Sequence, residues 1–484
     1  MIGRKKEQEE LLRRYRRNKP EFVAVYGKRG IGKTTLIAET FQKKFAFHHT
    51  GLAPAGTESE ERKSLGSHLS EIKKQLKHFY HALMNYGLRN EPEPETWLDA
   101  FYLLEELLTQ QNDGSRQVVF LDELPWMDTP RSGFVTALEG FWNRWGCMQK
   151  DLMLIVSGSA ASWMRDKLIN HDGGLYNRVT CEIKLYPFTL HECQLFLQSN
   201  NVRFSPYDIA ECYMILGGIP FYLDALHEEL SLAQNIDHLF FEQGAVLQNE
   251  LDRLFNSIFV NPDRMTTIVT TLNQRCGGYT RKELSENTGL SGKTLTDCMR
   301  TLIASDFVER YVPFSEGKRE THYRLIDPFC QFYLHFVKEP QTRDGHFWMH
   351  QQASQSVVSW RGLAFENLCF CHIQQIKQAL GIGAVRTNQF AWLLHGDEGN
   401  AQIDLIIERD DRVINACEIK FYSDEFIVDK AYYRKLQSRQ SLLIEKISRK
   451  QSIHQTLIST YGLKRNEYSG IFTQVITLDD LFRE

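Results

Sequence analysis

Short, wholly apolar runs of strand length punctuate the first third of this chain. Phe22-Val23-Ala24-Val25-Tyr26, Val118-Val119-Phe120-Leu121 and Leu152-Met153-Leu154-Ile155-Val156 each end in glycine or polar residues. Runs of this kind predict strands covered on both faces, as in a parallel sheet. Phe45–His49 and Val179–Leu185 predict two further strands. Between them the apolar positions fall at helical spacing, over Lys5–Arg17, Glu58–Tyr86 and Thr96–Leu108, the last capped by Thr96. A break at Asn90–Glu95 separates the last two.

Beyond Pro187 the rhythm changes. Pro187 to about Leu254 reads as a helical region, interrupted at Leu216-Gly217-Gly218-Ile219-Pro220 by a glycine stop and a proline restart. Lys282–Asn287, the turn Gly289–Ser291 and Gly292–Ala304 predict a helix-turn-helix, with a wing of two strands (Phe307–Val312 and His322–Ile326) around Glu316-Gly317-Lys318-Arg319. An aromatic-rich helix opens at Asp327, and the polar stretch Lys338–Asp344 reads as a linker. A helical pattern spans Phe365–Ile376. The strand Ala401–Ile407 and its hairpin partner Val413–Lys420 follow. The expected organisation is multidomain α/β: residues 1–186 as a core, 187–262 as an α-helical lid packed on it, 263–327 as a winged helix and 328–484 as a last α/β domain.

The 484 residues suffice for several domains, and 42% hydrophobic with 24% charged residues is ordinary for a globular protein. Net charge is −4, so overall charge does not argue for nucleic acid. The basic run Arg13–Lys19 reads as a solvated helix face. No apolar run approaches the roughly 18 residues of a membrane span, so no membrane partner is expected. The ten cysteines are scattered, which points to a reducing, cytosolic compartment. Cys369-x-Cys371-His372 reads as buried helix rather than metal site. His48 and His49, neighbours on a strand, point to opposite faces and do not chelate together.

The strongest chemistry lies in Gly27-Lys28-Arg29-Gly30-Ile31-Gly32-Lys33-Thr34, followed by Thr35. It satisfies GxxxxGK[ST] between a predicted strand and a predicted helix, the context a phosphate-binding loop requires. Backbone N–H groups and the helix N-terminus would hold the phosphates of ATP. Lys33 would reach the β- and γ-phosphates and Thr34 would ligate Mg²⁺. Asp122 and Glu123 end the second apolar strand: Asp122 would hold Mg²⁺ through water, and Glu123 would take a proton from the attacking water. Ser157 and Ser159, ending the third, are candidate γ-phosphate sensors. Arg178 is a candidate finger, in cis or from a neighbouring subunit. Ile2 and Gly3 are placed to pack against the base.

A second constellation lies near the carboxyl terminus. Asp404 on one strand, Glu418 and Lys420 on one face of its hairpin partner, and Glu366 on an upstream helix are the parts of a metal-dependent phosphodiesterase site. Asp404 and Glu418 would ligate Mg²⁺, Glu366 would complete the shell, and Lys420 would orient or activate water.

Ile2-Gly3-Arg4, GKRGIGKT, VVFLDELPWM, LIVSGS, Asn177-Arg178 and GGIPFYL together resemble the archaeal-type ATPases of the AAA+/STAND-related group. The last third resembles the PD-(D/E)xK, restriction-endonuclease-like domain often fused to them. The resemblance implies a P-loop NTPase sheet, Glu123 as base, Arg178 as finger, and Gly218-Ile219-Pro220 near the nucleotide through the lid. No clear sensor arginine follows GGIP, a departure that favours a nucleotide switch over continuous turnover. The leading expectation is a switch ATPase controlling a nuclease-like domain that acts on nucleic acid. The rivals are a regulatory scaffold, with a protein partner or self-association and an inactive nuclease-like fold, and a winged-helix DNA-binding regulator.

Overall fold

The structure is a computed structural model that describes residues 2–53, 65–169, 177–314, 321–338, 344–394 and 401–484. Contacts divide the chain into two compact units. The first comprises Met1–Pro187 with Asp252–Met265; the second comprises Phe188–Leu251 with Thr266–Glu484.

The first unit is built on a five-stranded sheet of β1 (Glu21–Tyr26), β2 (Phe47–Thr50), β3 (Gln117–Asp122), β4 (Leu152–Gly158) and β5 (Cys181–Lys184), in the order β2-β3-β4-β1-β5. All its pairings are parallel. Every residue of β1, β3 and β4 is buried, which explains why these strands read as unbroken apolar runs rather than alternating ones. Trp97–Gln110 forms a helix whose Thr96 and Asp99 make a capping box. Its Trp97, Phe101 and Leu104 pack into the core with Phe134, Phe141 and Leu154. The expected helix Glu58–Tyr86 is described from Leu65 to Asn85; its earlier residues lie outside the described ones. The basic run at the amino terminus is structural: Arg14 and Arg17 pair with the buried Glu21 at 3.4 and 3.1 Å.

In the second unit, Gly217 closes the helix Pro206–Leu216 at φ 72°, and Pro220 opens the next short helix. A Cβ at Gly218 would stand 2.6 Å from the carbonyl oxygen of Phe188, so this glycine is required by crowding as well as by its φ of 66°. The helical region 188–251 clusters with the carboxyl-terminal elements. A buried pair, Glu211–Arg361 at 2.6 Å, and the bond from the Leu190 N–H to His372 Nε2 at 3.0 Å fasten it there. His372 is thereby a buried hydrogen-bond acceptor, as the structural reading of Cys369-x-Cys371-His372 expects.

Helices Arg281–Thr288 and Gly292–Ala304, joined through Gly289 at φ 70°, precede the strands β7 (Val308–Tyr311) and β8 (His322–Leu325), which pair with β6 (Tyr279–Thr280) in the order β6-β8-β7. Lys318 and Arg319 lie outside the described residues. A second five-stranded sheet, in the order β13-β12-β11-β10-β9, joins β9 (Thr387–Leu394), β10 (Ala401–Arg409), β11 (Val413–Lys420), β12 (Ser452–Ser459) and β13 (Gln474–Thr477). β9, β10 and β11 are antiparallel; β11, β12 and β13 are parallel, with the helix Lys430–Lys446 as the crossover between β11 and β12. The β9–β10 register shifts between Ile403 and Ile406. Asp404 sits in that irregularity, where a bulge re-aims side chains.

Candidate functional site

The sheet order of the first unit places β4 between β1 and β3. The phosphate loop leaves the carboxyl end of β1, Asp122-Glu123 ends β3, and Ser157-Gly158-Ser159 ends β4. The three therefore meet at one sheet edge, where ligands of open α/β sheets bind. Gly30 and Gly32 adopt φ of 76° and 92°, left-handed values that favour glycine. A Cβ at Gly27 would stand 2.5 Å from the Leu185 carbonyl oxygen.

Thr34 donates its hydroxyl to Asp122 Oδ2 at 2.8 Å. Ser157 donates to the other oxygen of the same carboxylate. Lys33, buried, donates to the carbonyls of Gly27 and Lys28 at 3.2 and 3.1 Å and to Ser159 Oγ at 3.2 Å, with Glu123 at 3.8 Å. Burial lowers the Lys33 pKa, and the acids offset that only in part. Glu123 has φ 49° and is held by the Ser159 N–H at 2.9 Å and by the Ser159 hydroxyl. Ser159 thus bridges Lys33 and Glu123. The oxygen set of Thr34 and Asp122 suits Mg²⁺, which selects hydroxyl, carboxylate and water ligands. Arg4, buried at φ 66°, donates to the carbonyls of Ile31 and Tyr186 at 3.2 and 2.7 Å, so the strap carrying Ile2 and Gly3 is tied to the loop. Lys28 is half-buried, while Arg29 and Thr35 are exposed.

Arg178 requires a correction. The Thr180 N–H donates to the Phe22 carbonyl, so Arg178 precedes the amino ends of β1 and β5, opposite to the loop. Four residue steps of strand separate the two ends, roughly 13 Å. The cis alternative fails on this geometry; only a neighbouring subunit could present this exposed arginine to a phosphate. Gly218 and Pro220 lie in the second unit, where their visible roles are the helix stop and restart.

In that second unit, Glu366 (helix Gln355–Cys371), Asp404 (β10), Glu418 and Lys420 (β11) share one electrostatic neighbourhood. Period-2 alternation brings Glu418 and Lys420 to one face, 2.6 Å apart, with Asp404 3.7 Å from the Lys420 ammonium. Two residues not anticipated from sequence complete the cluster. Arg439 binds the second Glu418 oxygen at 2.6 Å, and the Tyr432 hydroxyl donates to the first. Asp404 Oδ2 accepts the Ile419 N–H at 2.9 Å.

Burial raises Glu418, but Lys420 and Arg439 outweigh it and hold the carboxyl below its ordinary range. Burial, then Asp404, pushes Glu366 up to about 8; burial, then Glu418, pushes Asp404 up to about 6. Burial opposes the Lys420 charge, yet Glu418 and Asp404 prevail and raise its pKa. A raised pKa favours the ammonium form, which suits orienting neighbouring groups.

Among the described residues no group of three or more His, Cys, Asp or Glu is arranged to hold a metal ion. Both Glu418 oxygens are engaged by cations, Lys420 and Arg439.

Residues 1–226 match the model of an ATPase-domain family found predominantly in Archaea. An uncharacterized protein of Methanocaldococcus jannaschii is 23% identical over 338 residues, 69% of this chain and 68% of its own length. Among solved structures, a Walker-type ATPase of Pyrococcus abyssi is similar over 69% of this chain and 96% of its own, at 17% identity and a TM-score of 0.46. The ORC2 protein of Aeropyrum pernix, in ADPNP-ADP complexes, is similar over 73% and 96%, at 17% identity and a TM-score of 0.41. No helix among the described residues is long and apolar enough to cross a membrane. The matched residues enclose the loop, Asp122-Glu123 and Ser157–Ser159.

Proposed function

We propose that this chain is an ATP-binding and ATP-hydrolysing switch whose carboxyl-terminal domain, restriction-endonuclease-like in topology, engages nucleic acid. The observation that carries the nucleotide reading is the 2.8 Å bond from Thr34 to Asp122, which couples the phosphate loop to the acid strand. ATP would place its phosphates over the loop N–H groups and the helix N-terminus. Lys33 would exchange its carbonyl contacts for the β- and γ-phosphates. Glu123, once freed from Ser159, would accept a proton from the attacking water as the new P–O bond forms and the bond to the bridging oxygen breaks. Mg²⁺, held by Thr34 and by Asp122 through water, would spread the phosphate charge. Arg178 would act only from a second copy of the chain, and a turnover rate per chain that rises with protein concentration is its signature.

Lys33→Ala tests the reading. ATP binding should be lost, and a variant that binds ATP like the parent overturns the assignment.

At the carboxyl-terminal cluster, the two cations on Glu418 favour a binding platform over metal-assisted cleavage. DNA incubated with the protein and Mg²⁺ or Mn²⁺ should remain intact. Cleavage that disappears with Asp404→Ala or Lys420→Ala would restore the nuclease reading. The helix-turn-helix with its hairpin supports a winged-helix module beside this platform, in which Arg300 faces Asp297 at 3.5 Å on the second helix.

A further inference from the structure

The rim of the acid cluster is built from two aromatic ladders and one basic helix. Tyr422 follows Lys420 by two residues. Its ring stacks on Phe426 at 5.8 Å and 19°, and Phe426 meets Tyr432 edge-on at 5.4 Å. On the other side, Tyr461 lies parallel to Tyr207 at 6.2 Å and 6°, and Tyr207 stacks on Phe421 at 4.6 Å. β11 and β12 are in register at Lys420 and Ser459, so both ladders start where these strands end. Each ladder finishes in an open ring: Tyr422 and Tyr461 are both 49% exposed.

The helix Lys430–Lys446 carries Lys430, Arg434, Lys435, Arg439 and Lys446 against a single acid, Glu445. Lys430, Arg434 and Lys435 are exposed. None of the three forms an ion pair among the described residues, whereas Arg439 reaches inward to Glu418 at 2.6 Å. Tyr432, Lys435 and Arg439 share a helix face at spacings of three and four, and the Lys435 ammonium lies 5.7 Å from the Tyr432 ring centre. Cations unpaired among the described residues, one turn from Arg439 and linked to the open Tyr422 ring through Tyr432 and Phe426, complement a polyanion whose bases are unpaired. A duplex hides those faces.

We propose that this rim binds single-stranded nucleic acid, with bases stacked on Tyr422 and Tyr461 and phosphates following Arg434 and Lys435 toward the acid cluster. The inference rests on the reading that the carboxyl-terminal domain engages nucleic acid, and it names the strand state and the surface.

The test uses the full chain, a fluorescent single-stranded DNA 20-mer and its duplex, with anisotropy read across a salt series. The parent should prefer the single strand. Tyr422→Ala and Tyr461→Ala should each weaken binding about tenfold with the salt slope unchanged, and Tyr461→Phe should bind like the parent. Arg434→Ala with Lys435→Ala should reduce the slope by about 1.4, at about 0.7 per phosphate lost. ATP turnover and melting temperature, kept at parental values, show that the variants fold. Binding that is unchanged in all of them, or lost only with Lys318→Ala and Arg319→Ala, overturns the inference while nucleic-acid engagement stands. A parent that prefers the duplex also overturns it. A parent that binds neither DNA overturns the underlying reading too.

Discussion

Two lysines face buried acids at the ends of strands in this molecule, and their electrostatics are opposite. Lys33 is surrounded mainly by neutral carbonyls and a hydroxyl, with Glu123 only at 3.8 Å, and burial lowers its pKa. Lys420 touches Glu418 at 2.6 Å, and the acids around it raise its pKa. The first site holds a cation that lacks a full counter-charge, which suits an incoming polyphosphate. The second is neutralised from within, by Lys420 and Arg439 on one carboxylate. Buried charges are stable only when paired; one site is left to be completed by ligand and the other completes itself.

The largest effect that would sharpen this contrast lies at Glu123. Glu123→Gln should lower ATP turnover by roughly 10²–10⁴-fold with nucleotide binding retained, since it removes a general base and leaves the loop intact. Phosphate release under saturating ATP measures it, and parental turnover would remove Glu123 from the mechanism.

Arg439→Leu addresses the self-neutralised site. Breaking a buried pair costs roughly 3–5 kcal/mol, and the lower end applies because Lys420 remains on Glu418. Denaturant unfolding followed in the carboxyl-terminal domain reads the loss; a change near zero would show that the pair does not hold the cluster together.

The pH dependence comes next. Glu366 and Asp404 rest at about 8 and about 6, above ordinary values of 4.5 and 3.8. The folded state therefore binds more protons than the unfolded state between those limits, and stability falls as pH rises from about 4 to about 8. Glu366→Gln should flatten the upper part of that fall, between pH 6 and pH 8, as followed by thermal melting. A parental slope in the variant would break the assignment.

The smallest effect is expected at Arg13. It pairs with Glu10 on the surface, where solvent screens the pair, and Arg13→Ala should leave the melting temperature at the parental value. It should also leave DNA binding untouched, because the amino-terminal basic run serves Glu10 and Glu21.

The nucleotide site was legible because its signals are local. The glycine loop, the apolar strands and Asp122-Glu123 each read within a window of about ten residues. The hairpin Val413–Lys420 was legible for the same reason, and its period of two placed Glu418 and Lys420 together. Arg439 and Tyr432 were not legible. Their helix buries only Leu436 and Leu443, which leaves little periodic signal, and its place beside Glu418 follows from a crossover between parallel strands. Arg178 misled because the sequence shows that a strand follows it but not which end of the sheet that strand enters. Without Arg439 on its second oxygen, Glu418 read as a ligand with that oxygen open.

The insertion of β4 between β1 and β3 has a consequence for synthesis. Residues 27–34 and 122–123 emerge from the ribosome early, but Ser157–Ser159 and the strand that separates the two must follow before they can be aligned. Pairings of this kind close over more than a hundred residues, which makes them late and slow to form. The nascent chain carries a complete phosphate-loop sequence with no working pocket until β4 docks, so ATP can stabilise the finished unit but cannot template its beginning.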